Sequence, residues 1–210
     1  MSTSEVDNPF FARMWTWMAS HEPESLKQLR RENLAGLSGR VLEVGAGTGT
    51  NFELYPDTVT EVVAVEPERR LSVQAEQAAA AASVPIRVSA NTVEQFADAE
   101  PFDAAVCSLV LCSVDDPDQV VRQLFSVLKP GGELRYFEHV ASSGWRDRLQ
   151  RFADATLWPR MAGNCHTHRH TEQTIVNAGF KVSRSRREWV LPPWVPVPSS
   201  EVAIGRAVKP

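Results

Sequence analysis

The chain has 210 residues, enough to bury a full core as one ordinary domain without disulfide or metal staples. Hydrophobic residues make up 43% and charged residues 23%, which excludes a disordered chain. The net charge of −4 argues against a nucleic-acid partner, which calls for a basic excess. Three cysteines are too few and too odd for a disulfide framework, so a reducing, cytoplasmic setting is expected.

The start, Met1-Ser2-Thr3-Ser4-Glu5, lacks a basic stretch followed by an apolar run, so no secretory leader is expected. No segment reaches about 18 uninterrupted apolar residues, so no membrane span is expected either. Residues 8–36 predict one or two helices, a lid ahead of the first strand. Short apolar runs then alternate with helical stretches, the sign of a parallel sheet built from βαβ units. Strands are expected at 40–44, 61–65, 86–88, 102–108 and 133–138. Helices fit near 50–55, 68–82, 117–128 and 171–178, and two late strands fit near 181–185 and 202–207. Residues 141–170 form an insertion after the fifth strand, on the side where open α/β sheets bind ligands. The expectation is one domain over 1–210: the lid, a core at 40–138 and this insertion. Its fold class is α/β, a Rossmann-like, mostly parallel seven-stranded sheet with helices on both faces.

The central motif is Val41-Leu42-Glu43-Val44-Gly45-Ala46-Gly47-Thr48-Gly49. Its glycines permit positive φ and close approach of a ligand to the backbone. The following helix would offer free N–H groups to a carboxylate or phosphate. Glu66, at the end of the second strand, can accept both hydroxyls of a ribose. A nicotinamide enzyme would show G-x-G-x-x-G, but here Thr50 occupies the last position and Gly49 comes one residue early.

The G-x-G-x-G turn resembles the first motif of class I methyltransferases. Val65-Glu66-Pro67, Ser89-Ala90-Asn91-Thr92, the run 102–108 and Leu128-Lys129-Pro130-Gly131-Gly132 resemble later motifs in the same order. The resemblance implies S-adenosylmethionine as cofactor. It places Gly45 and Gly47 beside the methionine portion, Glu43 near its amino group, and Ala46, Gly49 and Asn51 among the cofactor contacts. It places Glu66 and Pro67 at the ribose, Asn91 and Thr92 at the adenine, and Cys107 and Ser108 beneath the cofactor. The Cys107 side chain itself reads as a small buried hydrophobe.

Asn51-Phe52, Tyr55-Pro56, Leu109-Val110-Leu111-Cys112-Ser113-Val114, Glu138-His139-Val140, Cys165-His166 and Arg169 extend the likeness. This series resembles the methyltransferase-like proteins that include the animal membrane-associated thiol methyltransferases and their soluble bacterial relatives. It implies methyl transfer to a small molecule, with a thiol as one acceptor. Two alternatives stay open: a C- or O-methyltransferase of a quinone-like or natural-product phenol, and a non-catalytic cofactor-binding module. Neither the acceptor nor the oligomeric state is readable.

His139 is the candidate general base, with a scaffold histidine as the other reading. Phe11, Trp15, Cys165, His166 and Arg169 are candidate substrate contacts, and other tryptophans and phenylalanines of 8–36 and 141–170 read as core or pocket wall. The run Cys165-His166-x-His168-x-His170 has imidazoles at spacing two but no carboxylate. Polar residues at a pocket rim are the expectation there, and no metal is assigned. Arg184-Ser185-Arg186-Arg187 reads as a solvated face, and the proline-rich run 191–198 as a stiff loop.

Overall fold

The computed structural model describes residues 7–192 and 194–210. Residues 1–6, including the start discussed above, and Pro193 of the proline-rich loop lie outside the described residues.

Two helices precede the sheet, α1 (Pro9–Ser20) and α2 (Glu24–Leu34). Asn8 caps α1 by accepting from the N–H of Phe11, and Pro9 takes the first position, where its missing N–H costs nothing. The core follows as β1 (Gly39–Val44), β2 (Val59–Val65), α3 (Arg69–Ala80), β3 (Ile86–Ser89), β4 (Phe102–Ser108), α4 (Pro117–Val127) and β5 (Leu128–His139). The insertion contributes α5 (Trp145–Asp154) and the short α6 (Trp158–Met161). The chain closes with α7 (Thr171–Asn177), β6 (Lys181–Trp189) and β7 (Glu201–Val208).

The seven strands run in the order β3-β2-β1-β4-β5-β7-β6. β7 pairs antiparallel with β5 and with β6, while the pairs among β1 to β5 are parallel. The central strands read as near-continuous apolar runs because both faces are covered. One buried layer holds Leu42, Val63, Leu124 and Tyr136, the other Val41, Val62, Phe52 and Ala75. Strand order reverses between β1 and β4, and ligands of open α/β sheets sit outside the carboxyl ends at such a switch point.

The helix expected near 50–55 is only a 3-10 turn, Phe52–Leu54. Pro56 holds Tyr55 out of the helical region, at φ −66° and ψ 133°. Asn51 and Tyr55 instead turn their side chains back onto Glu43. The late strand expected at 181–185 runs on to Trp189, paired along its length with β7.

Candidate functional site

A cavity of about 580 Å³ opens at the switch point, within the range of small-molecule sites. Its floor is the end of β1 and β4 with their following turns: Val44, Gly45, Gly47, Ser108 and Leu109. Val65, Glu66 and Pro67 form one side, with Thr92 to Gln95 beyond them. Phe11 and Trp15 of α1 cover it, and Val110, Ser113 to Asp115, Gly163 and Asn164 close the other end.

The glycine turn is shaped by its neighbours. The N–H groups of Gly45 and Ala46 both donate to the carbonyl of Val65, binding the turn to the end of β2. Gly45 and Gly47 have φ of 64° and 59°, where side chains are strained. A Cβ at Gly47 would stand 2.6 Å from the indole nitrogen of Trp15, and one at Gly45 would run into Val110. That indole N–H is buried and has no protein partner.

Glu66 is 6% exposed. It accepts from the N–H of Gly47 at 2.8 Å and of Glu68 at 2.9 Å. Burial dominates, pushing its carboxyl up to about 7 despite those donors, with Glu68 and Glu43 adding repulsion. Glu68 caps α3, accepting from the N–H groups of Arg70 and Leu71.

Glu43 does not line the cavity. Tyr55 Oη donates to it at 2.7 Å and Asn51 Nδ2 at 2.8 Å. Asn51 also reaches Ser108 Oγ, and Arg30 Nη1 donates to the Asn51 amide oxygen. Burial again pushes Glu43 up to about 7, against the lowering from Tyr55, Asn51 and Arg30.

Of the sequence-predicted cofactor residues, Gly45, Gly47, Glu66, Pro67, Thr92 and Ser108 line the cavity. Glu43 and Asn51 stand behind it in the polar network just described. Ala46 and Cys107 are buried, Gly49 packs against Phe52 and Ala78, and Asn91 points to solvent. Phe11 and Trp15 line the cavity, whereas Cys165, His166 and Arg169 support its wall from outside. Arg169 donates to the carbonyls of Leu111 and Val114, and the His166 N–H donates to the carbonyl of Cys112. His139 does not line the cavity; its Nδ1 faces the sulfurs of Cys112 and Cys165.

Sequence reasoning missed Glu138, which is fully buried. Its carboxylate gathers the N–H groups of Val110, Leu111 and Cys112 at 3.0–3.2 Å, fixing the loop after β4. An acidic residue in the middle of an apolar strand end was the available signal. Leu109 and Asn164 were also missed. They are the non-glycine residues with positive φ among the described residues, and both line the cavity.

The chain matches the family model described as "Methyltransferase domain" over residues 18–182. It is 37% identical to the thiol S-methyltransferase TMT1B of Mus musculus, covering 94% of this chain and 82% of that protein. It is 33% identical to TMT1B of Homo sapiens, covering 91% and 80%. The fold is like that of the N-methyltransferase NodS from Bradyrhizobium japonicum WM9 in complex with S-adenosyl-L-homocysteine, at a TM-score of 0.68 and 21% identity over 98% of this chain and 90% of that one. A buried ribose-type carboxylate, a glycine floor and an unpartnered indole N–H under the cover fit an adenosyl ligand. The chain belongs to the methyltransferase domain family and is an S-adenosylmethionine-dependent methyltransferase of the class I fold.

Proposed function

We propose that this enzyme methylates the sulfur of a small apolar thiol. The observation that carries the reading is the match to thiol S-methyltransferases, which at 94% of the chain takes in the acceptor end of the cavity as well as the cofactor half. Two features support it. The acceptor end is walled by Leu109, Val110 and Val114, suited to an apolar molecule. A thiol, with a pKa near ~8.5, needs less help from a base than an alcohol does.

Glu66 accepts the ribose hydroxyls, Gly45 and Gly47 admit the methionine portion against bare backbone, and Thr92 with its neighbours holds the adenine. S-adenosylmethionine supplies a methyl group on a sulfonium, which needs only a well-aligned nucleophile. Glu43, Asn51 and Arg30 act as positioning residues: their network holds the turn on which the cofactor rests. α1 covers the cavity and excludes water. Three free, buried cysteines suit the reducing cytoplasm. The partner is a small molecule: the net charge of −4 speaks against nucleic acid, and no helix among the described residues is long and apolar enough to cross a membrane.

The test is a panel of thiols, phenols and amines with product identified by mass spectrometry. Thioether formation from an apolar thiol is expected. Methylation of a phenol or amine with none of any thiol would reject the reading.

A further inference from the structure

Three ligating atoms converge just behind the acceptor wall. Nδ1 of His139, at the end of β5, lies 3.4 Å from Sγ of Cys112 and 3.4 Å from Sγ of Cys165. The three atoms all lie within 4.8 Å of one another. Both cysteines are buried and unbridged, and His139 is half-buried.

The residues come from three distant segments, and the scaffold brings them together without help. Glu138 fixes the backbone of Cys112, and the His166 N–H donates to the Cys112 carbonyl at 2.7 Å. Asn164 Nδ2 donates to the carbonyl of Ser113 at 2.8 Å, which locks the Cys165 loop to the Cys112 loop. The histidines that follow Cys165 do not join: His168 pairs with Asp147 and His166 with Asn164.

Hydrogen bonding explains half of this arrangement. An imidazole nitrogen has one lone pair or one hydrogen, so Nδ1 serves one sulfur well and not two. A shared cation serves both. Zinc holds thiolate sulfur at ~2.3 Å and imidazole nitrogen at ~2.0–2.1 Å, which sets tetrahedral S···N edges of about 3.6 Å. The two observed edges are close to that length. A donor set of two sulfurs and one imidazole selects zinc over hard ions such as magnesium or calcium.

Three protein ligands with a vacant fourth position mark catalytic rather than structural zinc. Ser113 and Asn164, the chain neighbours of Cys112 and Cys165, line the acceptor end of the cavity. We propose that Cys112, Cys165 and Nδ1 of His139 bind one zinc ion, and that the sulfur of the acceptor thiol takes the fourth position. The second half rests on the thiol reading above. On coordination the acceptor's S–H bond breaks, a Zn–S bond forms and the proton passes to water; a coordinating thiol is deprotonated outright. No oxidant or reductant takes part. Loop 109–115 is then a metal-bearing loop as well as a wall.

The experiment uses the untagged full chain, stripped with a chelator and titrated with zinc, then with cobalt(II) as an optical probe. About one zinc per chain is expected, with thiolate-to-cobalt charge-transfer absorption. Cys112→Ser and Cys165→Ser should each weaken zinc by more than the ~10–100-fold that outer-shell partners are worth, with S-adenosylhomocysteine affinity retained as the check on folding. Adding 2-mercaptoethanol should strengthen the charge-transfer band as a third thiolate joins. On the wild type, zinc should protect Cys112 and Cys165 from alkylation, a readout that stands even if a variant fails to fold.

No tight zinc binding, wild-type affinity in the folded serine variants, or a Cys112–Cys165 disulfide in place of metal would overturn the site. A cobalt spectrum indifferent to the added thiol would overturn the fourth position. Zinc binding is read without donor or acceptor, so it stands or falls separately from thiol methylation.

Discussion

The carboxylate of Glu66 accepts the N–H of Gly47 at 2.8 Å, joining the end of β2 to the glycine turn after β1. The group expected to hold the ribose thus also shapes the floor under the rest of the cofactor. Glu66→Ala should weaken S-adenosylhomocysteine by about ten-fold or more, since charge-assisted hydrogen bonds are worth ~1.5–3 kcal/mol each. Calorimetry checks this, and an unchanged dissociation constant in a folded variant places the ribose elsewhere.

Burial holds Glu66 near 7, so cofactor binding should depend on pH. Hydroxyl donors favour the ionised carboxylate, and affinity should therefore fall as pH drops through about 7. Between pH 8 and pH 6 the loss should approach about ten-fold, because the ionised fraction of a group titrating near 7 falls from about nine-tenths to about one-tenth. Glu66→Gln should flatten the profile; a wild-type slope in that variant would assign the titration to another group.

Glu43 and Glu66 also set the stability of the unliganded protein. Burial raises both to about 7 from the ordinary carboxylate value of 4.5, so the native state binds protons more tightly than the unfolded chain. Their contribution is fully present below about pH 4.5 and is lost as pH rises from there to about 7. From these two groups alone, the unliganded enzyme should melt higher at pH 6 than at pH 8, and saturating S-adenosylhomocysteine should shrink the difference. Scanning calorimetry at the two pH values, with Glu43→Gln as a further comparison, measures it.

Gly47→Ala meets two obstacles at once, a φ of 59° and the Trp15 indole 2.6 Å from the new methyl. The strained backbone alone costs about 1–2 kcal/mol. Cofactor affinity should fall at least ten-fold, and Trp15→Ala should restore part of it by relieving the steric half. No rescue in the double variant would mean that the backbone term is the whole effect.

Glu138→Ala would strand three N–H groups inside the protein. At ~1–3 kcal/mol for each unsatisfied group, a loss of about 3 kcal/mol or more is expected. For a chain of this size that lowers the melting temperature by roughly 6–12 °C. A shift of a degree or less would show that the loop after β4 holds itself.

Strand positions were readable because buried parallel strands carry apolar runs that no other element needs. The floor of the cavity was readable for a related reason: Gly45, Gly47 and Glu66 sit next to one another through the pairing of two consecutive parallel strands, β1 and β2. The far wall was not. Ser113 and Asn164 meet through a hydrogen bond between loops 51 residues apart, and no local pattern encodes such a meeting. The histidines at 166 and 168 take partners in their own loop and on α5, while Cys165 turns inward, a division that the spacing of the run does not encode. The short turn after the glycine motif was legible in hindsight from Pro56.

Helix α1 seats Phe11 on Gly163 and Trp15 on Gly47, so one rigid rod rests on both ends of the cavity. Two ligands that enter from opposite ends of a groove can come and go independently. Two that share a single roof are coupled through it. A substitution in α1 should therefore be felt by spent donor and methylated product alike, whichever end of the cavity it touches.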